Sequence, residues 1–290
     1  MSINHVFVAG AGLMGHGIAQ VHAAVGARVS LYEPDLARAI AGRDRIAGNL
    51  DRAVAKGKLD AATRDAVLAR VMPVADVAAA ADADLVIEAV FEDQAVKTAL
   101  WASIDAVAQP SAIFASNTSS IALDHLAAAT TETRRARFVG MHFFSPVPVM
   151  PLVELIRGSA TDDATEAAIR ELSGRLGKQV IVSADRPGFI VNRILIPLLT
   201  EAMRAYEEGV GTAADIDTGA KVGLNHPMGP LELADFIGLD VCLGIMRVLE
   251  EGIGGPQFAP PQVLLDLVTA GHLGQKTGRG FHVYPALPRR

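Results

Sequence analysis

Short runs of Val, Ile, Leu and Phe recur through the first two-thirds of the chain, separated by Ala-rich stretches whose apolar residues return at helical spacing. Runs this short and this uniformly apolar suit strands buried on both faces, and the intervening helices suit a mainly parallel sheet covered on each side. The pattern predicts strands near 5–10, 28–33, 84–89, 112–116, 137–142, 152–157 and 179–183. Residues 36 to 70 predict a helical hairpin inserted between strands, with Arg43, Arg45, Arg52, Lys56 and Lys58 among its aliphatics. After Arg186-Pro187-Gly188 the strand signals stop and helical ones continue, with Gly209, Gly223, Gly252 and Gly271 as helix-ending punctuation. The expected organisation is an α/β domain over 1–185 and an all-α C-terminal domain over 186–290.

The length of 290 residues agrees with two domains, each large enough to bury its own core. With half its residues hydrophobic and a fifth charged, the chain has an ordinary globular composition. A formal net charge of -6 without a Lys/Arg block offers no face for a nucleic-acid backbone, so nucleic acid is not an expected partner. Cys242 is the only cysteine, which precludes an intrachain disulfide and agrees with a reduced, cytoplasmic setting. The N-terminus runs directly into a strand-like segment with no secretory leader. The most apolar long stretch, Phe189 to Ala205, is interrupted by Asn192, Arg193 and Glu201. Its unbroken part falls well short of the roughly 20 residues a membrane span requires, so it reads as a core helix and no membrane is expected.

Gly10-Ala11-Gly12-Leu13-Met14-Gly15 follows an apolar strand and opens a helix, the context a dinucleotide fingerprint requires. In such a turn the first glycine permits the tight bend, the second lets pyrophosphate approach the backbone, and the third allows close helix–strand packing. The helix N-terminus adds unpaired N–H groups and the positive end of its dipole. Glu33 ends the second predicted strand, where a carboxylate can accept from ribose hydroxyls. This makes the sheet Rossmann-like. A carboxylate there also repels a 2′-phosphate, which favours NAD over NADP, although Arg38 and Arg43 are near enough in sequence to leave NADP open.

Ser116-Asn117-Thr118-Ser119-Ser120 stands at a predicted strand end, where open α/β sheets bind ligands; it is equally suited to capping the next helix. His142 ends another strand, and a lone histidine is more often structural than catalytic. Glu154, inside Leu152-Val153-Glu154-Leu155-Ile156, changes that balance, because a carboxylate among buried aliphatics is costly unless something pairs with it. An imidazole on a neighbouring strand is a natural partner; the carboxylate would fix its tautomer and leave the second ring nitrogen to act as general base. Asn192, in an otherwise aliphatic helix, needs hydrogen-bond partners and could merely staple that helix. His5, His16, His22, His125, His226, His272 and His282 show no comparable carboxylate companion in sequence, and no spacing suggests a metal site.

Taken in order, the Gly10–Gly15 turn, the Ser116–Ser120 segment, Met141-His142-Phe143-Phe144, Leu152-Val153-Glu154-Leu155 and Pro187-Gly188-Phe189-Ile190-Val191-Asn192-Arg193 resemble the 3-hydroxyacyl-CoA dehydrogenase family, and within it the bacterial 3-hydroxybutyryl-CoA dehydrogenases. The likeness continues through Asn225–Leu231 and Leu273–Phe281 and so covers essentially the whole chain. It implies hydride transfer between NAD(H) and a short (3S)-3-hydroxyacyl-CoA or the matching 3-ketone, by a homodimer formed through the C-terminal domain. It implies that His142 is the general base, that Glu154 orients it, and that Ser119 and Asn192 bind the reacting oxygen and the nicotinamide side. It further implies cofactor contacts from Gly10, Gly12, Leu13, Met14, Gly15, Glu33, Glu92, Lys97, Asn117 and Lys276, and a CoA contact from Lys56. Ser145 and Pro151 depart from the family pattern, where many relatives carry asparagine and lysine. A sister dehydrogenase of a free hydroxy acid, as in the crystallin-like relatives, and a non-catalytic NAD-binding protein are the alternatives.

Overall fold

The computed structural model describes residues 3–285, which divide into two compact units, one running up to Arg186 and the other from Pro187 onward. The first is built on eight strands: β1 (His5–Ala9), β2 (Arg28–Tyr32), β3 (Val71–Val74), β4 (Leu85–Glu88), β5 (Ile113–Ser116), β6 (Phe138–Phe143), β7 (Leu152–Arg157) and β8 (Gln179–Ala184). They lie in the order β3-β2-β1-β4-β5-β6-β7-β8, parallel except for the antiparallel β6–β7 pair. The order reverses direction between β1 and β4, so a topological switch point falls at the mouth of the glycine turn.

The helices of this unit are α1 (Leu13–Ala24), α2 (Leu36–Ala55), α3 (Ala61–Ala69), α4 (Gln94–Asp105), α5 (Leu123–Ala127), α6 (Glu132–Arg135) and α7 (Asp163–Arg175). Asp35, Asp60, Asp93 and Asp162 cap α2, α3, α4 and α7 by accepting from backbone N–H groups of the first turn. The buried core runs across the sheet through Val6, Val8, Leu31, Ile87, Ala115, Val139 and Leu155. The α2–α3 pair is the inserted hairpin expected from the sequence. One strand was not expected: β3 contains Met72 and Pro73, a poor strand signature, and it survives because it is the sheet edge, where proline's missing N–H is no loss.

The second unit is entirely helical in its regular elements: α8 (Val191–Glu207), α9 (Ala213–Thr218), α10 (Pro230–Ile237), α11 (Leu239–Ile253) and α12 (Gln262–Thr269). Ile196, Leu199, Met203, Leu231, Leu239, Met246, Leu249 and Leu264 form its core. Buried Asp217 and Asp235 hold the chain beyond α12. Asp217 accepts from the N–H groups of Leu231 and Glu232 and pairs with His282 at 2.6 Å, and Asp235 accepts from Phe281, His282 and the Tyr284 hydroxyl. No helix among the described residues is long and apolar enough to cross a membrane.

Candidate active site

The glycine turn has the shape a pyrophosphate needs. Gly10 takes φ 101° and runs so close to the β4 end that a Cβ there would lie 2.5 Å from the Ala89 carbonyl oxygen. A Cβ on Gly15 would sit 1.7 Å from the Gly10 carbonyl oxygen, so α1 can approach β1 only with glycine at that position. Gly12, by contrast, faces open space, and no side chain caps the N-terminus of α1 that it begins. Open N–H groups at a helix N-terminus fit an anionic diphosphate. Leu13 projects into solvent, 71 % exposed, beside partly buried Met14. Glu33, just beyond β2, accepts from the Ala11 N–H at 2.8 Å, which fixes the carboxylate at the rim of the turn. Arg43 is turned away, donating to the carbonyls of Leu68 and Val71.

Across the switch point, β4 and β5 end on a polar cluster. Lys97, in the first turns of α4, is 1 % exposed and its Nζ lies 3.0 Å from Glu88 Oε1 and 2.6 Å from Glu92 Oε2. Burial raises the pKa of Glu88 against the pull of Lys97 and of the Ser116 hydroxyl. For Glu92 burial acts in the same sense, but the Lys97 charge and hydrogen bonds from Lys97, Thr118 and Ser120 outweigh it and hold the carboxyl at about 2. Glu92 is therefore an ionised acceptor, and its Oε1 receives the Thr118 hydroxyl at 2.6 Å, the Ser119 N–H at 2.9 Å and the Ser120 N–H at 3.1 Å. Ser119 is partly buried on this turn. Asn117 ties β5 to β6, its Oδ1 accepting from the Phe143 N–H at 2.8 Å.

The third feature lies where β6 turns back into β7. The eight-residue loop 144–151 reverses the chain, and the antiparallel register sets His142 directly opposite Glu154. Nδ1 of His142 lies 2.7 Å from Glu154 Oε2, with the carboxylate fully buried and the imidazole 7 % exposed. An ionised carboxylate only accepts, which puts a proton on Nδ1 and fixes the tautomer. The Phe144 ring leans on the imidazole at 4.6 Å between centroids. Behind the loop, buried Lys178 donates to the carbonyls of Val147 and Met150 at 2.6 and 2.7 Å.

The remaining expected site residues belong to α2 and to the second unit. Lys56 is exposed at the C-terminus of α2. Asn192 is buried in α8 of the second unit, and Lys276, also in that unit, is exposed with its Nζ 2.5 Å from Asp240. Two of the seven histidines without a carboxylate companion in sequence gain one through the fold: His5 Nδ1 lies 3.1 Å from Asp82, and His282 pairs with Asp217. Both partners come from distant parts of the chain, where sequence neighbourhood gives no sign of them. Sequence reasoning also passed over Glu88, although it closes the apolar run Leu85-Val86-Ile87 and carries a signal like that of Glu154, a carboxylate placed among aliphatics.

The dinucleotide turn at the switch point suits a nicotinamide-dependent enzyme, and an imidazole–carboxylate pair lies at the strand ends beyond it. The family model of the 3-hydroxyacyl-CoA dehydrogenase NAD binding domain matches residues 5–186, and that of the 3-hydroxyacyl-CoA dehydrogenase C-terminal domain matches 188–284. The chain belongs to this family and is an NAD-dependent 3-hydroxyacyl-CoA dehydrogenase. It is 50% identical over 282 residues to a 3-hydroxybutyryl-CoA dehydrogenase of Bradyrhizobium diazoefficiens, covering 97% of this chain and 96% of that protein. To a 3-hydroxybutyryl-CoA dehydrogenase of Mycobacterium tuberculosis it is 47% identical over 285 residues, covering 98% and 99%. The crystal structure of (S)-3-hydroxybutyryl-CoA dehydrogenase from Ralstonia eutropha superimposes with a TM-score of 0.93 at 45% identity, over 98% of this chain and all of that one.

Proposed function

We propose that the chain interconverts short (3S)-3-hydroxyacyl-CoA and 3-ketoacyl-CoA, with 3-hydroxybutyryl-CoA and acetoacetyl-CoA as its pair. The observation that carries the chemical reading is the buried 2.7 Å contact between His142 Nδ1 and Glu154. The substrate follows from the relatives named 3-hydroxybutyryl-CoA dehydrogenase that align over nearly the whole chain.

When bound, NAD(H) supplies the hydride acceptor or donor. His142 removes the proton from the 3-hydroxyl during oxidation and returns it to the developing alkoxide during reduction. Glu154 stabilises the imidazolium formed at that moment and keeps the ring in one tautomer. Ser119 hydrogen-bonds the reacting oxygen from a turn that Glu92 holds in place, and Asn192 is assigned to the same oxygen on the family resemblance. Asn117 lines the nicotinamide side. Glu33 receives the adenosine ribose, Lys276 contacts the cofactor, and Lys56 meets a phosphate of CoA as a point charge, again on the resemblance. Lys97 acts on the cofactor side by holding Glu92. Residues 1–185 thus bind NAD, while 186–290 serve substrate binding and dimerisation.

The dimer reading has support in the second unit, where Ile194, Val222, Leu224 and Phe236 are each more than half exposed. Buried Cys242, its thiol pushed up to about 12 by burial and then by Asp240 and Asp235, is unreactive and suits a reducing cytoplasm. An assay with acetoacetyl-CoA and longer 3-ketoacyl-CoAs, each with NADH and NADPH, tests the whole reading. Fastest turnover with acetoacetyl-CoA and NADH is expected. No turnover, or preference for a free hydroxy acid, would contradict it.

A further inference from the structure

The polar cluster at the ends of β4 and β5 closes on itself. Ser116 donates its hydroxyl to Glu88 Oε2 at 2.7 Å, and its oxygen accepts the Thr118 N–H at 3.2 Å. Thr118 donates to Glu92 Oε1 at 2.6 Å, Glu92 Oε2 meets Lys97 Nζ at 2.6 Å, and Lys97 returns to Glu88 Oε1 at 3.0 Å. Glu88 is fully buried, and its Oε1 also takes the Val90 N–H at 3.0 Å. The ring therefore links the backbone of the β4–α4 loop to that of the β5–α5 turn. The first of these loops abuts the glycine turn at Ala89, and the second carries Ser119.

Both Glu88 oxygens act as acceptors in the ring, one for the Ser116 hydroxyl and the other for Lys97 Nζ and the Val90 N–H. An amide at 88 can accept from Lys97 and Val90 only through its oxygen, which leaves its NH2 facing Ser116 Oγ, so the Ser116 hydroxyl loses its acceptor and that link runs in reverse. Removing the charge would also leave Lys97 with a single counter-ion in a site that excludes water. The thread from Glu88 to Ser119 passes through Lys97 and then Glu92, whose Oε1 holds the Ser119 and Ser120 N–H groups.

We propose that Glu88 is a positioning residue for hydride transfer, closing a hydrogen-bonded ring of five residues that fixes the Ser119 turn against the nicotinamide half of the cofactor site. The proposal rests on the reading of Ser119 as the serine that touches the reacting oxygen.

The experiment is a double-mutant cycle with Glu88→Gln and Ser119→Ala, joined to hydrogen exchange of the peptide spanning residues 117–121 in the intact protein. Glu88→Gln is expected to lower kcat by roughly 10–100-fold, the scale of losing placement without losing a reacting group. The NADH dissociation constant, read by fluorescence, should stay within a few-fold, and exchange of the Ser119 and Ser120 amides should quicken at least tenfold. In the Ser119→Ala background the same change should cost less than about threefold in kcat, because the group being positioned is gone. A merely structural role would multiply in the cycle, and that result, or unaltered exchange in Glu88→Gln, would overturn the proposal. If exchange quickens while Ser119→Ala turns over like wild type, the ring stands and the assignment of Ser119 falls. Should Glu88→Gln fail to fold, Ser116→Ala opens one link with no change in charge and must show the same non-additivity with Ser119→Ala on a smaller scale.

Discussion

Glu154 and Glu88 are both fully buried carboxylates in apolar strands of one sheet, and they differ in the partner each one faces. Glu154 faces an imidazole, whose second ring nitrogen gives it a means of taking up and releasing a proton. Glu88 faces an ammonium shared with a second carboxylate, and the trio is knitted into backbone and hydroxyl groups. Burying an ionised carboxylate costs several kcal/mol unless a partner offsets it. Both sites meet that cost, yet only the first partner can pass a proton on. On the proposed reading, a buried carboxylate beside an imidazole serves chemistry, and one beside an ammonium shared by two carboxylates serves placement.

The sharpest way to break this comparison is at the imidazole. Replacing His142 with Gln is expected to cut turnover by roughly 100-fold or more, the scale of losing a general acid–base group, with NADH affinity nearly unchanged. Steady-state rates with acetoacetyl-CoA and fluorescence titration with NADH check the two halves separately. Glu154→Gln should cost less, roughly 10–100-fold in kcat, because a neutral amide still occupies the space but neither stabilises the imidazolium nor enforces its tautomer.

A smaller effect is expected at the far end of the cofactor. Replacing Glu33 by a neutral residue and placing an arginine after it removes the carboxylate that repels a 2′-phosphate, and should move the ratio of kcat/KM for NADH over NADPH at least tenfold toward NADPH. A ratio that did not move would mean that the ribose end is read elsewhere.

The smallest effect concerns His22, an imidazole with no part in the reaction. Burial, aided by the charges of Arg175 and Lys178 and opposed by the hydrogen bond to the Ile18 carbonyl, lowers its pKa from 6.5 to about 4. Below 6.5 the unfolded chain therefore takes up a proton that the folded chain refuses. Stability contributed by the neutral ring is complete above pH 6.5 and is lost as pH falls toward 4. Denaturant titrations from pH 7 to 4 should show this loss, and His22→Leu should flatten it by up to one proton. An equal slope in the variant would contradict the assignment.

Much of this was legible before any coordinates. The glycine turn is read by spacing alone, because backbone geometry leaves no other residue at Gly10 or Gly15. Glu154 was legible through its cost among Leu152, Val153, Leu155 and Ile156, and Glu88 offered the same signal but had no histidine nearby to give it a partner. The Lys97 partnership depends on α4 turning its first turns over β4, which no local pattern states. The edge strand at Met72-Pro73 was hidden because its propensity is poor and only its position excuses it. His5–Asp82 and His282–Asp217 were hidden because their partners arrive by tertiary folding.

The central claim is that His142 and Glu154 act as one unit, and a double-mutant cycle on kcat with acetoacetyl-CoA and NADH tests it most directly. The account predicts that Glu154→Gln costs little once His142 is already Gln, so that the double variant is far less impaired than the product of the single effects. Single effects that multiply, or a His142→Gln enzyme within a few-fold of wild type, would contradict it.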